Sequence, residues 1–125
     1  MIYTSSLNQN TDFKRMYYRG AYRTGRDIVI YGMKARSNKE TRLGITVSKK
    51  VGNAVVRNRV RRIITAAYRR IEKEKDLKGY NFVVVGRKSA AERKSTDIYI
   101  QMKRQFPALL EMILEKQKNN RQKRR

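Results

Sequence analysis

The 125-residue sequence contains no cysteine and no histidine, and it has a single proline. The absence of cysteine excludes disulfides and thiolate metal sites. The absence of histidine removes the commonest metal ligand and the usual general base at neutral pH. The ten acidic residues show no paired spacing that would suit a two-metal nuclease site. We therefore predict that the chain has no catalytic residue and no metal site of its own.

Long apolar runs are missing as well. No window approaches the roughly 18 consecutive apolar residues that span a membrane, and no apolar signal-peptide core follows Met1. We therefore expect a cytoplasmic protein without a membrane partner.

Positive charge is what the sequence has in excess, with 32 Lys and Arg residues and a formal net charge of +22. Nucleic acid is the leading partner for such a charge, and an anionic membrane surface is the weaker alternative. With 39% hydrophobic residues, the chain can still build one core. We predict a single RNA-binding domain over residues 1–115, in which residues 1–9 form a loose arm. Residues 116–125, KQKNNRQKRR, are expected to be a basic disordered tail.

The strongest local pattern lies between Lys49 and Arg70, where eight residues are basic and none is acidic. At 100° per residue, apolar side chains from Val56 to Ile71 share one side of a helix. The opposite side carries Asn58, Arg61, Arg62, Thr65 and Arg69, and the edges of the apolar stripe carry Arg57 and Arg59. Cations near a helix amino terminus are mildly destabilising unless an anion neutralises them. A solvated basic face and a phosphate-binding surface both stay open on this evidence.

The remaining periodicities predict the fold. Asn53 is expected to cap the basic helix, which then begins near Ala54. The other predicted elements are a helix over 12–19, strands over 27–35, 43–48 and 80–86, and a last helix from residue 95. We expect the first two strands to form an antiparallel hairpin, the third to lie inside the sheet, and Pro107 to kink or break the last helix. The order α-β-β-α-β-α predicts an α+β fold, with helices covering one face of a small, mostly antiparallel sheet.

Phe13 and Tyr17 lie four residues apart on the first helix and therefore share a face. Two interpretations stay open. The pair docks the helix on the core, or it stacks on unpaired bases, which the neighbouring Lys14, Arg15 and Tyr18 favour.

The segment from Val47 to Arg62, VSKKVGNAVVRNRVRR, resembles the signature of the bacterial ribonuclease P protein subunit. The resemblance extends from Asn10 to about Leu114. Further matching positions are Asp12, Phe13, Tyr17 and Gly20 of the first helix, Tyr31 of the first strand, and Phe82 to Lys88. The resemblance implies a small α+β fold like domain 2 of ribosomal protein S5, with a left-handed strand-helix-strand crossover. It also implies that a catalytic RNA, with its own Mg²⁺ ions, removes the 5′ leader of precursor tRNA while the protein assists.

The resemblance implies two RNA-binding surfaces. A cleft for the single-stranded leader would be lined by Phe13, Tyr17, Tyr31, Lys49, Lys50 and Arg62. A docking surface for the catalytic RNA would comprise Arg57, Asn58, Arg59 and Arg61, with Arg69 replacing a contact at Thr65, where many relatives are basic. The expected partners are the catalytic RNA and precursor tRNA, with a monomeric protein in a 1:1 complex with the RNA. No cofactor is expected on the protein itself.

Composition leaves two other classes open. A ribosomal or other structural RNA-binding protein would share the charge, the size and the fold without a role in cleavage. A nucleoid-type DNA-binding protein would share the charge.

Overall fold

The computed structural model describes residues 1–123, with side chains as far as Asn120. Its strands are β1 (Thr4–Ser6), β2 (Ala21–Thr24), β3 (Ile28–Lys34), β4 (Thr41–Val47) and β5 (Tyr80–Gly86). Its helices are α1 (Asn10–Arg19), α2 (Ala54–Glu74) and α3 (Ser95–Lys123), and short 3-10 turns at Lys49–Val51 and Lys88–Glu92 follow β4 and β5. Within residues 1–123, no helix is long and apolar enough to cross a membrane.

The sheet has the strand order β1-β4-β5-β3-β2. The α+β class and the interior position of β5 are confirmed, and β4, α2 and β5 form a crossover unit that joins adjacent parallel strands. The sheet is mixed rather than mostly antiparallel, since β1–β4 and β4–β5 are parallel pairs. The predicted hairpin of β3 with β4 is wrong, because the almost continuously apolar β5 lies between them. The hairpin that forms is β2–β3, whose polar first strand has no apolar alternation to predict it.

Helices cover both faces of the sheet, so the expectation that they cover one face is wrong. Helices α2 and α3 enclose the main core with Phe82 and Val84 of β5. The alternate residue Val83 points to the other face, where Met16 of α1 and Leu7 cover it. A strand that is apolar on both sides needs cover on both sides. Helix α1 spans only part of that second face, which leaves the rest open.

The basic helix has the predicted start. Helix α2 begins at Ala54, and the Asn53 side chain accepts a hydrogen bond from the Val56 N–H at 3.0 Å. Its first turn contains no acidic residue.

The amino-terminal segment is an ordered strand, so the expectation of a loose arm is wrong. Strand β1 pairs with β4, and buried Glu72 of α2 accepts hydrogen bonds from the N–H groups of Ile2 (2.6 Å) and Tyr3 (3.3 Å) and from the Thr4 hydroxyl. Burial raises the pKa of Glu72, but these hydrogen bonds and the terminal ammonium outweigh burial and hold it below its usual value. The anchor was missed because its partners are about seventy residues apart.

The carboxyl-terminal segment continues α3 as far as Lys123, so the expected disordered tail is helical over the residues that the structure describes. Arg124 and Arg125 lie outside the described residues. Strong helix formers follow the last core contact at Ile113, and the Lys116 ammonium donates to the Arg19 carbonyl at 2.7 Å. Pro107 does not break the helix. It is exposed, and Phe106 beside it is fully buried, so packing holds the turn together.

Candidate nucleic-acid interface

Three tyrosines from three elements meet on the open part of the second face. Tyr17 of α1 contacts Tyr31 of β3 edge to face, with ring centroids 4.9 Å apart. Tyr22 of β2 lies opposite Tyr31 in the strand register, with centroids 5.6 Å apart and a 36° tilt. Tyr17 is 42% exposed and Tyr22 55% exposed. These residues, which we call the tyrosine cluster, present a continuous aromatic surface to solvent.

Helix α1 is positioned by Phe13 and Met16. A Cβ atom at Gly44 would lie 2.6 Å from two ring carbons of Phe13, so this ring rests directly on the β4 backbone. Met16 is 2% exposed and packs with Val83. The half-buried Phe13 therefore docks the helix, while Tyr17 extends past it. The Tyr17 hydroxyl lies within hydrogen-bond distance of the Thr46 hydroxyl, at 3.2 Å.

A basic rim, made of exposed Lys and Arg residues, lies where two strands of the sheet end. Parallel strands β4 and β5 end at the same edge, and exposed basic residues follow each of them. These residues are Lys49 and Lys50 after β4, and Arg87 and Lys88 after β5. The turn that carries Lys49 and Lys50 packs against α2 through Val51, so both lysines lie at the strand ends beside the start of α2.

The arginines of α2 divide into two groups. Arg57 lies on one edge of the apolar stripe, and Arg61 follows it one turn later, where its guanidinium donates to the Asn58 side chain at 3.2 Å. The Arg57 Nε is buried and has no hydrogen-bond partner within the described residues. Arg59 lies on the other edge and donates to the carbonyls of Ala91 (2.8 Å) and Arg93 (2.7 Å). Arg59 therefore fastens α2 to the turn after β5 and uses two of its five N–H donors to do so.

Asp27 holds the same turn through its side chain. Arg93 pairs with this buried carboxylate at 3.1 Å, and Gln101 of α3 donates to it. Burial raises the pKa of Asp27, but hydrogen bonds from Ser89, Gln101 and Arg93 and the Arg93 charge outweigh burial and lower it overall. The ionised Asp27 carboxylate therefore stabilises the fold at this turn.

Arg62 and Arg69 are exposed on the solvent side of α2. Because α2 packs on the face opposite α1, the structure does not bring Arg62 to the tyrosine cluster. Arg62 and Arg69 instead lie on the same helix surface as Asn58. Of the residues predicted for the leader cleft, Phe13, Tyr17 and Tyr31 lie together on the second face. Lys49 and Lys50 lie at the end of β4 instead.

Within residues 1–123, no three carboxylate side chains come close enough to hold a metal ion. The basic surfaces have the chemistry to bind phosphates, and the tyrosine cluster has the chemistry to stack on bases.

Comparison with known proteins agrees with this chemistry. The family model described as "Ribonuclease P" matches residues 1–110. The chain belongs to the ribonuclease P protein family.

Its relatives cover most of its length. The ribonuclease P protein component of Clostridioides difficile is 42% identical over 95 residues, which are 76% of this chain and 82% of the relative. That of Bacillus velezensis is 41% identical over 87 residues, 69% and 72% of the two chains. The solved Staphylococcus aureus RNase P protein matches with a TM-score of 0.66 and 29% identity, covering 88% of this chain and 92% of the other. The chain is thus a protein component of ribonuclease P, an endoribonuclease of tRNA processing.

Sequence reasoning missed one exposed aromatic residue of this ribonuclease P protein. Tyr22 lies in the short polar strand β2, which has no apolar period. A signal was present, because Tyr22 and Tyr31 are equally far from the centre of the turn, which lies between Arg26 and Asp27. A hairpin centred on that turn places the two tyrosines opposite each other.

Proposed function

We propose that this ribonuclease P protein binds the 5′ leader of precursor tRNA on its tyrosine cluster while α2 docks on the catalytic RNA. The observation that carries the proposal is the continuous exposed surface of Tyr17, Tyr31 and Tyr22. A stack on an aromatic ring is worth about 1 to 3 kcal/mol per base and tolerates any base. Such a surface suits a single strand of variable sequence.

The basic rim supports the same path. Lys49 and Lys50 are exposed after β4, a few residues beyond Thr46, whose hydroxyl lies 3.2 Å from that of Tyr17. Their ammonium groups would neutralise leader phosphates without selecting a sequence. Phe13 contributes by fixing α1, and through it the position of Tyr17.

Docking on the catalytic RNA is assigned to the exposed side of α2. Asn58, Arg62 and Arg69 are exposed on this surface, and the half-buried Arg57 and Arg61 border it. Guanidinium groups bind phosphates through two parallel hydrogen bonds, which positions an RNA backbone more strictly than lysine does. Free N–H groups at the start of α2 add to the attraction. Arg59, which is bound to two backbone carbonyls, has a structural role in this proposal.

Cleavage is assigned to the catalytic RNA and Mg²⁺ ions that it binds. The protein has no histidine or cysteine, and its described carboxylates form no metal-binding group. Its contribution is to hold the leader and to neutralise phosphate repulsion between two RNA molecules.

The direct test is turnover at low Mg²⁺, where protein assistance is needed most. A bacterial ribonuclease P RNA would be incubated with precursor tRNA, with and without the protein, and leader release would be followed. We expect faster release with the protein and none with the protein alone. RNA binding without any gain in leader release would favour a structural RNA-binding protein. Preference for duplex DNA over structured RNA in competition would favour a nucleoid protein.

A further inference from the structure

We infer that Tyr22 forms an additional nucleotide subsite, which stacks on one leader base beyond those bound at Tyr17 and Tyr31. The inference rests on the proposed leader cleft and extends it to the edge strand β2. The ligand is an unpaired base of any identity, together with its phosphate.

The geometry leaves one side of the Tyr22 ring free. Strand β2 is the last strand of the sheet order, so no further strand covers its outer edge. One side of the ring contacts Tyr31, and 55% of the residue is exposed. On the opposite face of the sheet, α3 packs against β2 and supports it. The base that follows the one stacked on Tyr31 therefore meets a second ring, that of Tyr22, on a strand that α3 supports.

The charge around Tyr22 suits the phosphate of that nucleotide. Arg19 is exposed at the end of α1, directly before β2, whereas Arg23 and Arg26 line a pocket with Arg104 on the α3 side of the sheet. Lys116 of α3 lies at the same end, since its ammonium donates to the Arg19 carbonyl at 2.7 Å. The nearby carboxylate of Asp27 is buried and paired with Arg93, so it does not repel a ligand. The edge of β2 thus offers both parts of a nucleotide subsite.

The experiment is a double-mutant cycle between Tyr22→Ala and abasic positions along the leader. Holoenzyme would be assembled from catalytic RNA and protein, and its Kd measured for precursors in which each leader nucleotide in turn lacks its base. We expect Tyr22→Ala to weaken binding of the intact precursor roughly fivefold or more, the factor for one stack. Mature tRNA should bind equally well to both proteins. At one leader position the abasic substitution should abolish the effect of Tyr22→Ala.

Two variants serve as controls. Tyr22→Phe keeps the ring and should bind like the wild type. Tyr18→Ala removes a tyrosine that is 89% exposed and has no aromatic partner among the described residues, and it should show coupling at no leader position.

Three results would overturn the inference. These are an unchanged Kd for Tyr22→Ala, an equal loss with mature tRNA, or the same loss with Tyr18→Ala. If the wild-type holoenzyme binds precursor and mature tRNA equally, the proposed leader cleft fails and the subsite fails with it. If the wild type prefers the precursor and Tyr22→Ala retains the whole preference, the subsite alone fails.

Discussion

Replacing Arg59 with alanine removes two hydrogen bonds that fasten α2 to the turn after β5. The guanidinium donates to the carbonyls of Ala91 and Arg93 at 2.8 and 2.7 Å. A hydrogen bond to a charged group contributes about 1.5 to 3 kcal/mol. Because Arg59 is half-buried, water can satisfy part of the hydrogen bonding that the variant loses. We therefore expect the free energy of unfolding to fall by about 2 to 3 kcal/mol for the two bonds together. For a chain of this size, the loss lowers Tm by about 6 to 12 °C.

Arg61→Ala is the matched control, because it removes the same guanidinium group from a position two residues further along α2. Among the described residues, the Arg61 guanidinium makes one hydrogen bond, to Asn58 of its own helix. Its loss should leave Tm within about 2 °C of the wild type, and should lower the salt dependence of catalytic RNA binding by about one phosphate contact. Thermal unfolding by circular dichroism and binding titrations over a salt series measure the two effects. Equal Tm values for the two variants, or a reduced salt slope for Arg59→Ala alone, would refute the assignment.

Two further substitutions test how the elements around the site are held. Gly44→Ala places a methyl group 2.6 Å from the Phe13 ring, and we expect overpacking to cost about 1 to 3 kcal/mol in urea unfolding; a loss below about 0.5 kcal/mol would show that α1 shifts freely. Glu72→Gln tests the anchor of β1 through pH. The folded-state pKa of Glu72 is lowered, so its stabilisation is present above the unfolded value of about 4.3 and is lost as pH falls through the folded value. Stability measured from about pH 7 to pH 3 should therefore fall less steeply in the variant, and parallel curves would contradict the anchor.

The basic helix was predictable because its signals are local. Asn53 lies three residues before Val56, from whose N–H its side chain accepts a hydrogen bond. The apolar stripe also repeats within the helix itself. Periodicity also placed Arg57 and Arg59 on opposite edges of the stripe. It did not distinguish their roles, because the carbonyls that bind Arg59 lie more than thirty residues later in the chain.

The errors in the sheet have a similar origin. Strands β3 and β4 are consecutive and each has strand character, so sequence proximity suggested a hairpin. Strand β5 follows α2 in the chain, and it lies between β3 and β4 and pairs with both. The one sign of this interior position is that β5 is apolar on both sides. Likewise, β1 is held in place by hydrogen bonds to Glu72. Tyr22 joins the tyrosine cluster because the strand register places it opposite Tyr31. The contact of β1 with Glu72 joins residues about seventy positions apart, which no local pattern contains.

The tyrosine cluster is the centre of the proposed function, as the surface that binds the leader. The most direct measurement is the ratio of holoenzyme Kd values for mature and precursor tRNA, with wild-type protein, Tyr17→Ala and the neighbouring control Tyr18→Ala. Loss of one stack, about 1 to 3 kcal/mol, predicts that Tyr17→Ala lowers this ratio by at least about fivefold. Binding of mature tRNA should stay the same, and Tyr18→Ala should retain the wild-type ratio. An unchanged ratio for Tyr17→Ala, or equal weakening of both tRNAs, would contradict the claim.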